Sequence, residues 1–328
     1  MPRVIHTAQA LVDEVIAVAE LPRRGGNAIA GGHARYAGGA VNILLAAARS
    51  GAECVHAGSI GTGANGDLIR TALLAEGVGI TSPTITDQDT GVCFVLLEPS
   101  AERTFITTQG AERQITMDSL ARSVPRRGDL ICVSGYSLEG PTRDPLLGWL
   151  EALPDGLDAP LVVLDPGAGY ADLEDDVLAR SLAITDVWTG NAEEADNLVR
   201  RLVPDSAGLL GEVLSFDRSA ALVATVLHPG AVVVVRDGPR GCVLHIDGIT
   251  TTYPGFPQRP LDTNGAGDTH TGVLVAAKAT GLGWSAAARR ANAAGAIKVT
   301  RRGPATAPSA AEIDAFLAKA AQRSVAST

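Results

Sequence analysis

The sequence predicts an α/β fold built on a doubly wound, mainly parallel sheet with helices on both faces. Three observations lead there. Apolar runs such as Val232 to Val235 carry no polar residue, as strands covered on both faces require. These runs alternate with segments of helical length along most of the chain, the rhythm of successive βα units. The core must also be aliphatic, because 46% of the 328 residues are hydrophobic and only 4% aromatic. That length accommodates one large domain with an accessory piece, or two modest domains.

Strands are expected at 3–7, 54–59, 130–134, 161–165, 186–189, 232–236 and 242–246. Helices are expected at 40–50, 66–76, 117–123, 145–153, 172–181, 192–202, 215–227, 269–280, 284–299 and 310–322. Two regions break the rhythm. Segments 11–20 with 28–36, and 91–98 with 103–108, read as strand pairs without helices, the second turning at 99–102. They are expected to form one small antiparallel sheet over the strand ends of the main sheet, where ligands of open α/β sheets bind. The organisation is then a main domain of 1–10, 37–88 and 113–328, and a β lid of 11–36 and 89–112.

The net charge of −9 argues against a nucleic-acid surface, which needs a basic face. The four Cys, at 54, 93, 132 and 242, form no CxxC or Cys/His cluster and suggest neither a zinc site nor a disulfide framework. The N-terminus lacks a charged segment followed by an apolar one, and no apolar stretch reaches membrane-spanning length. A soluble, cytoplasmic chain without membrane or nucleic-acid partners is the expectation.

The segment Asp262-Thr263-Asn264-Gly265-Ala266-Gly267-Asp268 lies between an extended stretch and a helix. Its small residues stand where backbone N–H groups lack intrahelical partners, so the turn can cradle an anion. A carboxylate inside such a cradle suits proton abstraction from a hydroxyl that attacks a phosphoryl group. A second glycine-rich turn, Gly61-Thr62-Gly63-Ala64-Asn65-Gly66, is a literal GxGxxG with Asp87 about 20 residues on. A helix and a strand already precede this turn, and Asp87 lies in the turn-rich stretch 84–89 rather than at a strand end, so a dinucleotide-dependent oxidoreductase is the weaker reading. No GxxxxGK[ST] exists, and the Lys residues are 278, 298 and 319. Asn191 and Glu194, at i and i+3 of a helix start, fit a capping box. Asp237 and Gly238 fit a tight turn after a buried strand.

Together these residues resemble the ribokinase-like, PfkB-type carbohydrate kinase family over essentially the whole chain. The C-terminal signature is 262–268. The N-terminal one is Ala37-Gly38-Gly39-Ala40-Val41-Asn42 followed by Ala46 to Gly51. Asn191-Ala-Glu-Glu194 resembles the family's NxxE, and Arg236 to Gly241 resembles the turn that borders ATP. The GxGxxG falls where the family has GxDxxG.

The resemblance implies a Rossmann-like sheet with a β lid, ATP and Mg²⁺, and a sugar acceptor. Asp268 would be the general base, and Gly265, Ala266 and Gly267 the anion hole. Asp13, Gly38, Gly39, Asn42 and Glu139 would bind substrate. Asn191, Asp237, Gly238, Gly241 and Asn292 would border ATP, with Glu194 ordering Mg²⁺ through water. Asp262 and Asn264 would hold a monovalent cation such as K⁺, walled by 299–303. Arg103 is a lid residue in reach of a charged substrate or a solvated hairpin arginine. A nucleoside kinase with the same mechanism is the alternative, and a non-catalytic sugar-binding regulator stands behind it. A homodimer through the lid is also expected.

Overall fold

The computed structural model describes residues 1–100, 102–154, 156, 159–203 and 214–326. Nine strands form the main sheet: β1 (Arg3–His6), β4 (Glu53–His56), β5 (Gly79–Ile80), β8 (Leu130–Ser134), β9 (Leu161–Asp165), β10 (Val187–Asn191), β11 (Val232–Arg236), β12 (Gly241–Ile246) and β13 (Ile249–Pro254). Their order is β13-β12-β11-β10-β9-β8-β1-β4-β5. All pair in parallel from β11 to β5, while β12 and β13 add an antiparallel edge. The chain winds outward from β1 in both directions, so the order reverses between β1 and β8.

Alternate residues of each strand enter opposite layers. Val232 and Val234 join one core with Val4, Leu130 and Val163, whereas Val233 and Val235 join the other with Ile5, Ile131 and Leu164. The first layer is roofed by α1 (Ala40–Arg49), α2 (Ala64–Ala75), α8 (Ala266–Ala279), α9 (Trp284–Lys298) and α10 (Ala310–Ala326). The second is roofed by α3 (Met117–Ala121), α4 (Arg143–Glu151), α5 (Asp175–Ala183), α6 (Ala192–Leu202) and α7 (Phe216–Ala224). All four Cys are free and buried. No helix among the described residues is long and apolar enough to cross a membrane.

A second sheet has the order β3-β2-β6-β7, from β2 (Ala10–Ala17), β3 (Gly32–Gly39), β6 (Val92–Leu97) and β7 (Arg103–Thr107). Both expected antiparallel pairs form, and they join through a parallel seam between β2 and β6. The turn expected at 99–102 includes Ala101, which lies outside the described residues. Register places Asp13, Tyr36, Cys93 and Thr107 on one face with Phe105 and Arg103, and Glu14, Arg35, Phe94 and Ile106 on the other.

The helix pair α1/α8 positions the site. Gly272 of α8 lies so close to α1 that an added Cβ would stand 2.4 Å from the Ile43 carbonyl oxygen and 2.7 Å from the Ala46 Cβ. Four residues before Gly272, on the same helix face, is Asp268. The close approach therefore brings Asp268 to Asn42 of α1. Gly272→Ala should push the helices apart and lower stability by about 1–3 kcal/mol, read as the urea midpoint. An unchanged midpoint would show that the approach is not tight.

Candidate active site

The parallel strands β8 to β11 end on one edge at Ser134, Asp165, Asn191 and Arg236. Beside the last three opens a cavity of about 570 Å³, whose wall also includes Glu194, Gly238, Gly241, Gly267, Asp268, His270 and Asn292. Asp13, Gly38 and Asn42 are not part of that wall. Asp268 thus stands at the junction between the cavity and the base of the small sheet.

Helix α8 begins at Ala266, three residues earlier than expected, because Gly265 turns the chain with φ of 74°. A Cβ at Gly265 would also lie 2.6 Å from the Pro304 carbonyl oxygen, so only glycine fits. The Ala266 N–H donates to the Thr263 carbonyl and the Thr269 N–H to that of Gly265. The N–H groups of Gly267 and Asp268 have no acceptor among the described residues. They are the orphan donors of the helix head and open to the cavity.

Asp268 is the third residue of α8. Asn42 Nδ2 donates to its Oδ2 at 2.9 Å, while the buried Asn42 Oδ1 has no partner among the described residues. A buried acceptor without a donor is costly. Burial first, and the Asp165 charge second, push the Asp268 carboxyl up to about 6, against the opposing pull of Asn42, Arg236 and Lys298. Asp13, on β2, is 9% exposed. Its carboxylate fills the space that a side chain on Gly38 would need, 2.3 Å from the position of that missing Cβ. Burial and then the neighbouring Asp268 raise Asp13 to about 7. The two carboxyls titrate as an interacting pair.

Behind Asp268 lies a charge network that sequence reading missed. Arg236, at the end of β11, donates to Asp165 Oδ2 at 3.2 Å and to Thr189 Oγ1 at 3.1 Å. Thr271 Oγ1 donates to the same Asp165 oxygen at 2.9 Å. Arg236 Nη2 also lies 3.9 Å from Glu194 Oε2. Burial, then the Asp165 charge, raise the Glu194 carboxyl above its ordinary range.

The expected capping box is present: Asn191 Oδ1 accepts from the Glu194 N–H, and Glu194 Oε2 from the Asn191 N–H, both at 2.8 Å. Gly238 and Gly241 reach the cavity, whereas the Asp237 side chain pairs with Arg240. Asn292 lines the cavity with its amide already engaged. Nδ2 donates to the carbonyls of Tyr253 (2.9 Å) and Pro254 (3.3 Å), and Oδ1 lies 3.1 Å from His270 Nε2. It therefore ties β13 to α8 and α9. Glu139 is exposed and, like Asp13, Gly38 and Asn42, is not part of the cavity wall. Gly39 serves as the junction of β3 and α1.

Asp262 binds the turn around itself. Oδ1 accepts from the Asn264 N–H at 2.8 Å and Oδ2 from the Gly303 N–H at 2.9 Å. Arg103 of the small sheet is neither solvated nor free: it donates to Asp262 Oδ1 at 3.1 Å and to Thr263 Oγ1 at 3.3 Å. Lys298, at the end of α9, donates to the Asp262 carbonyl at 3.0 Å.

The GxGxxG turn is filled from within. Asp89 accepts from the N–H groups of Asn65 (3.1 Å), Gly66 (2.9 Å) and Thr90 (2.7 Å). Although burial opposes it, these bonds hold the carboxyl below the ordinary range. The head of α2 already carries its anion, whereas the head of α8 offers free donors.

A cavity at the strand ends, a helix head with free N–H groups and a carboxyl beside it are the features of an enzyme that phosphorylates an alcohol. The chain belongs to the pfkB family of carbohydrate kinases, whose model matches residues 6–311, and like them it is an ATP-dependent sugar kinase. The uncharacterized sugar kinase YegV of Escherichia coli (strain K12) is 32% identical over 312 residues, covering 94% of this chain and 92% of that one. The ribokinase of Haemophilus influenzae is 28% identical over 271 residues, 82% of each. Among solved structures, a ribokinase from Thermotoga maritima superposes with a TM-score of 0.77 at 21% identity, covering 97% of this chain and 99% of the other. The aminoimidazole riboside kinase of Salmonella enterica gives 0.74 at 21%, covering 96% and 99%. The small sheet beside a mostly parallel one is part of that shared fold.

Asp13→Asn tests the electrostatics of the pair. Asp13 titrates near 7 in the native state against 3.8 ordinarily. The unfolded chain ionises first as pH rises, so the wild type loses stability between these values. The Asn variant should therefore melt several degrees above wild type at about pH 8, with the gap closing toward about pH 4. A pH-independent difference in melting temperature would contradict the raised Asp13.

Proposed function

We propose that this kinase transfers the γ-phosphoryl group of ATP to a hydroxyl of a sugar or sugar acid, with Asp268 as general base. The observation that supports this best is a half-buried carboxyl, raised to about 6 and held by Asn42, beside the unpaired N–H groups of the α8 head. Near neutral pH this group is ionised yet basic enough to take a hydroxyl proton. The donors of Gly267 and Asp268, with Gly265 shaping the turn and Ala266 opening the helix, stabilise the charge that shifts onto the transferring group. Asp13 and the open Asn42 Oδ1 accept from sugar hydroxyls, and Gly38 and Gly39 leave room for them.

The nucleotide occupies the cavity, with Asn191 and Glu194 near its phosphates and Gly238 and Gly241 along its edge. Asp165 and Glu194 are hard oxygen donors on that wall and fit Mg²⁺ held largely through water and phosphate. When bound, the ion would offset phosphate charge. Segments 11–36 and 89–112 act as the lid, which Arg103 latches onto Asp262. Phe94 and Ile106 are exposed on the outer lid face, 36% and 58%, and suit a lid-to-lid homodimer. Four free, buried thiols suit a reducing cytoplasm.

A nucleoside acceptor is the second reading. Phe105, 58% exposed, shares a face with Asp13 and Tyr36 and offers a flat apolar surface. ATP consumption across sugars, sugar acids and nucleosides separates the two acceptor classes. On the acceptor that turns over, Asp268→Asn should lower kcat by about 10²–10⁴ with little change in KM. Gly267→Ala adds a methyl whose nearest protein neighbour, Arg236, is 3.8 Å away. It should keep or raise the melting temperature while turnover falls, because the methyl occupies the anion's space. Full turnover in either variant would remove that residue from the chemistry.

A further inference from the structure

The turn that shapes the α8 head is held by the segment after α9. The N–H groups of Leu261 and Asp262 donate to the Val299 carbonyl at 2.7 and 3.1 Å, and Gly303 donates to the Asp262 carboxylate. At the seam between these two loops lies Lys298. It has no solvent-exposed surface, and its Nζ donates to the Asp262 carbonyl at 3.0 Å. Lysines are almost never fully buried without a reason, since desolvating an ammonium is costly. Here burial lowers the ammonium's pKa, while Asp262 and then Asp268 work to keep it charged against Arg103.

Its place is the notable point. Asp262 and Asn264, with 299–303 beside them, are the residues that the family resemblance assigns to a diffusible monovalent cation. The Asp262 carbonyl that accepts from Lys298, and the Asp262 carboxylate three residues before Gly265, call for positive charge. The chain supplies that charge covalently.

We propose that Lys298 is a positioning residue whose ammonium stands in for a monovalent cation. It holds the Asp262–Gly265 turn so that the α8 N–H groups face the phosphoryl group, and the enzyme works without K⁺. The inference rests on the kinase reading of this site.

The test compares wild type, Lys298→Met and Lys298→Gln in choline chloride and in KCl at equal ionic strength. Melting temperature and Mg·ATP affinity by titration calorimetry are the readouts. Wild type should be indifferent to K⁺ in both. The variants should bind Mg·ATP at least about tenfold more weakly in choline, and K⁺ should raise both their melting temperature and their affinity. A wild-type melting temperature or affinity that rises with K⁺ would overturn the proposal, even if the variants did not fold. So would folded variants that ignore K⁺. Absence of Mg·ATP binding in wild type would count against the kinase reading of the site, while the K⁺ dependence of the melting temperatures would still decide the role of Lys298.

Discussion

A carboxylate enclosed at the head of α8 is the constraint on which the rest of the site depends. Enclosure raises Asp268 to about 6, and it would rise further without help. Asn42 supplies one hydrogen bond, and Arg236 and Lys298 supply positive charge. Each helper comes from a different part of the chain. Asn42 reaches Asp268 because α1 and α8 touch at Gly272, Arg236 because β11 ends beneath the helix, and Lys298 because α9 ends beside the turn. The sheet order brings these ends together at the edge where the winding reverses.

The same constraint explains the neighbouring acids. Asp165 pushes Asp268 up, and Arg236, bound to Asp165 and close to Glu194, works against it. Asp13 has no such partner among the described residues and carries the larger rise, to about 7. In the proposed reading, sugar hydroxyls would supply the donors for this carboxyl. The contrast with Asp89 is instructive. Three backbone N–H groups satisfy that carboxylate permanently, so the GxGxxG turn is a structural cap.

Much of this was legible in the sequence, for identifiable reasons. Strands such as β8, β9 and β11 run to their predicted ends because continuous apolar runs closed by Ser134, Asp165 and Arg236 leave few alternatives. The Gly-rich turn and Asp268 were legible because their chemistry is local. Strand β13 was not: Ile249–Pro254 is a threonine-rich edge strand with no buried face to pattern it. The start of α8 was misplaced because Gly-Ala-Gly disfavours a helix locally, whereas the left-handed Gly265 begins one. Asp165, Arg236 and Lys298 escaped notice because their sequence distances hide a shared location. A signal existed: each is a charge at the end of an apolar run, Val-Val-Leu-Asp165, Val-Val-Arg236 and Ala-Ile-Lys298, where a buried strand or helix has no wet face to offer.

The central claim is that enclosure tunes Asp268 and Asp13 into a base and a hydroxyl acceptor. The pH dependence of kcat/KM for ATP-dependent turnover tests it directly, since that quantity reports the free enzyme. The account predicts that activity falls on the acid side with a midpoint between the values for Asp268 and Asp13, about 6 and about 7. An acid limb centred near the ordinary 3.8 of an exposed aspartate would contradict it.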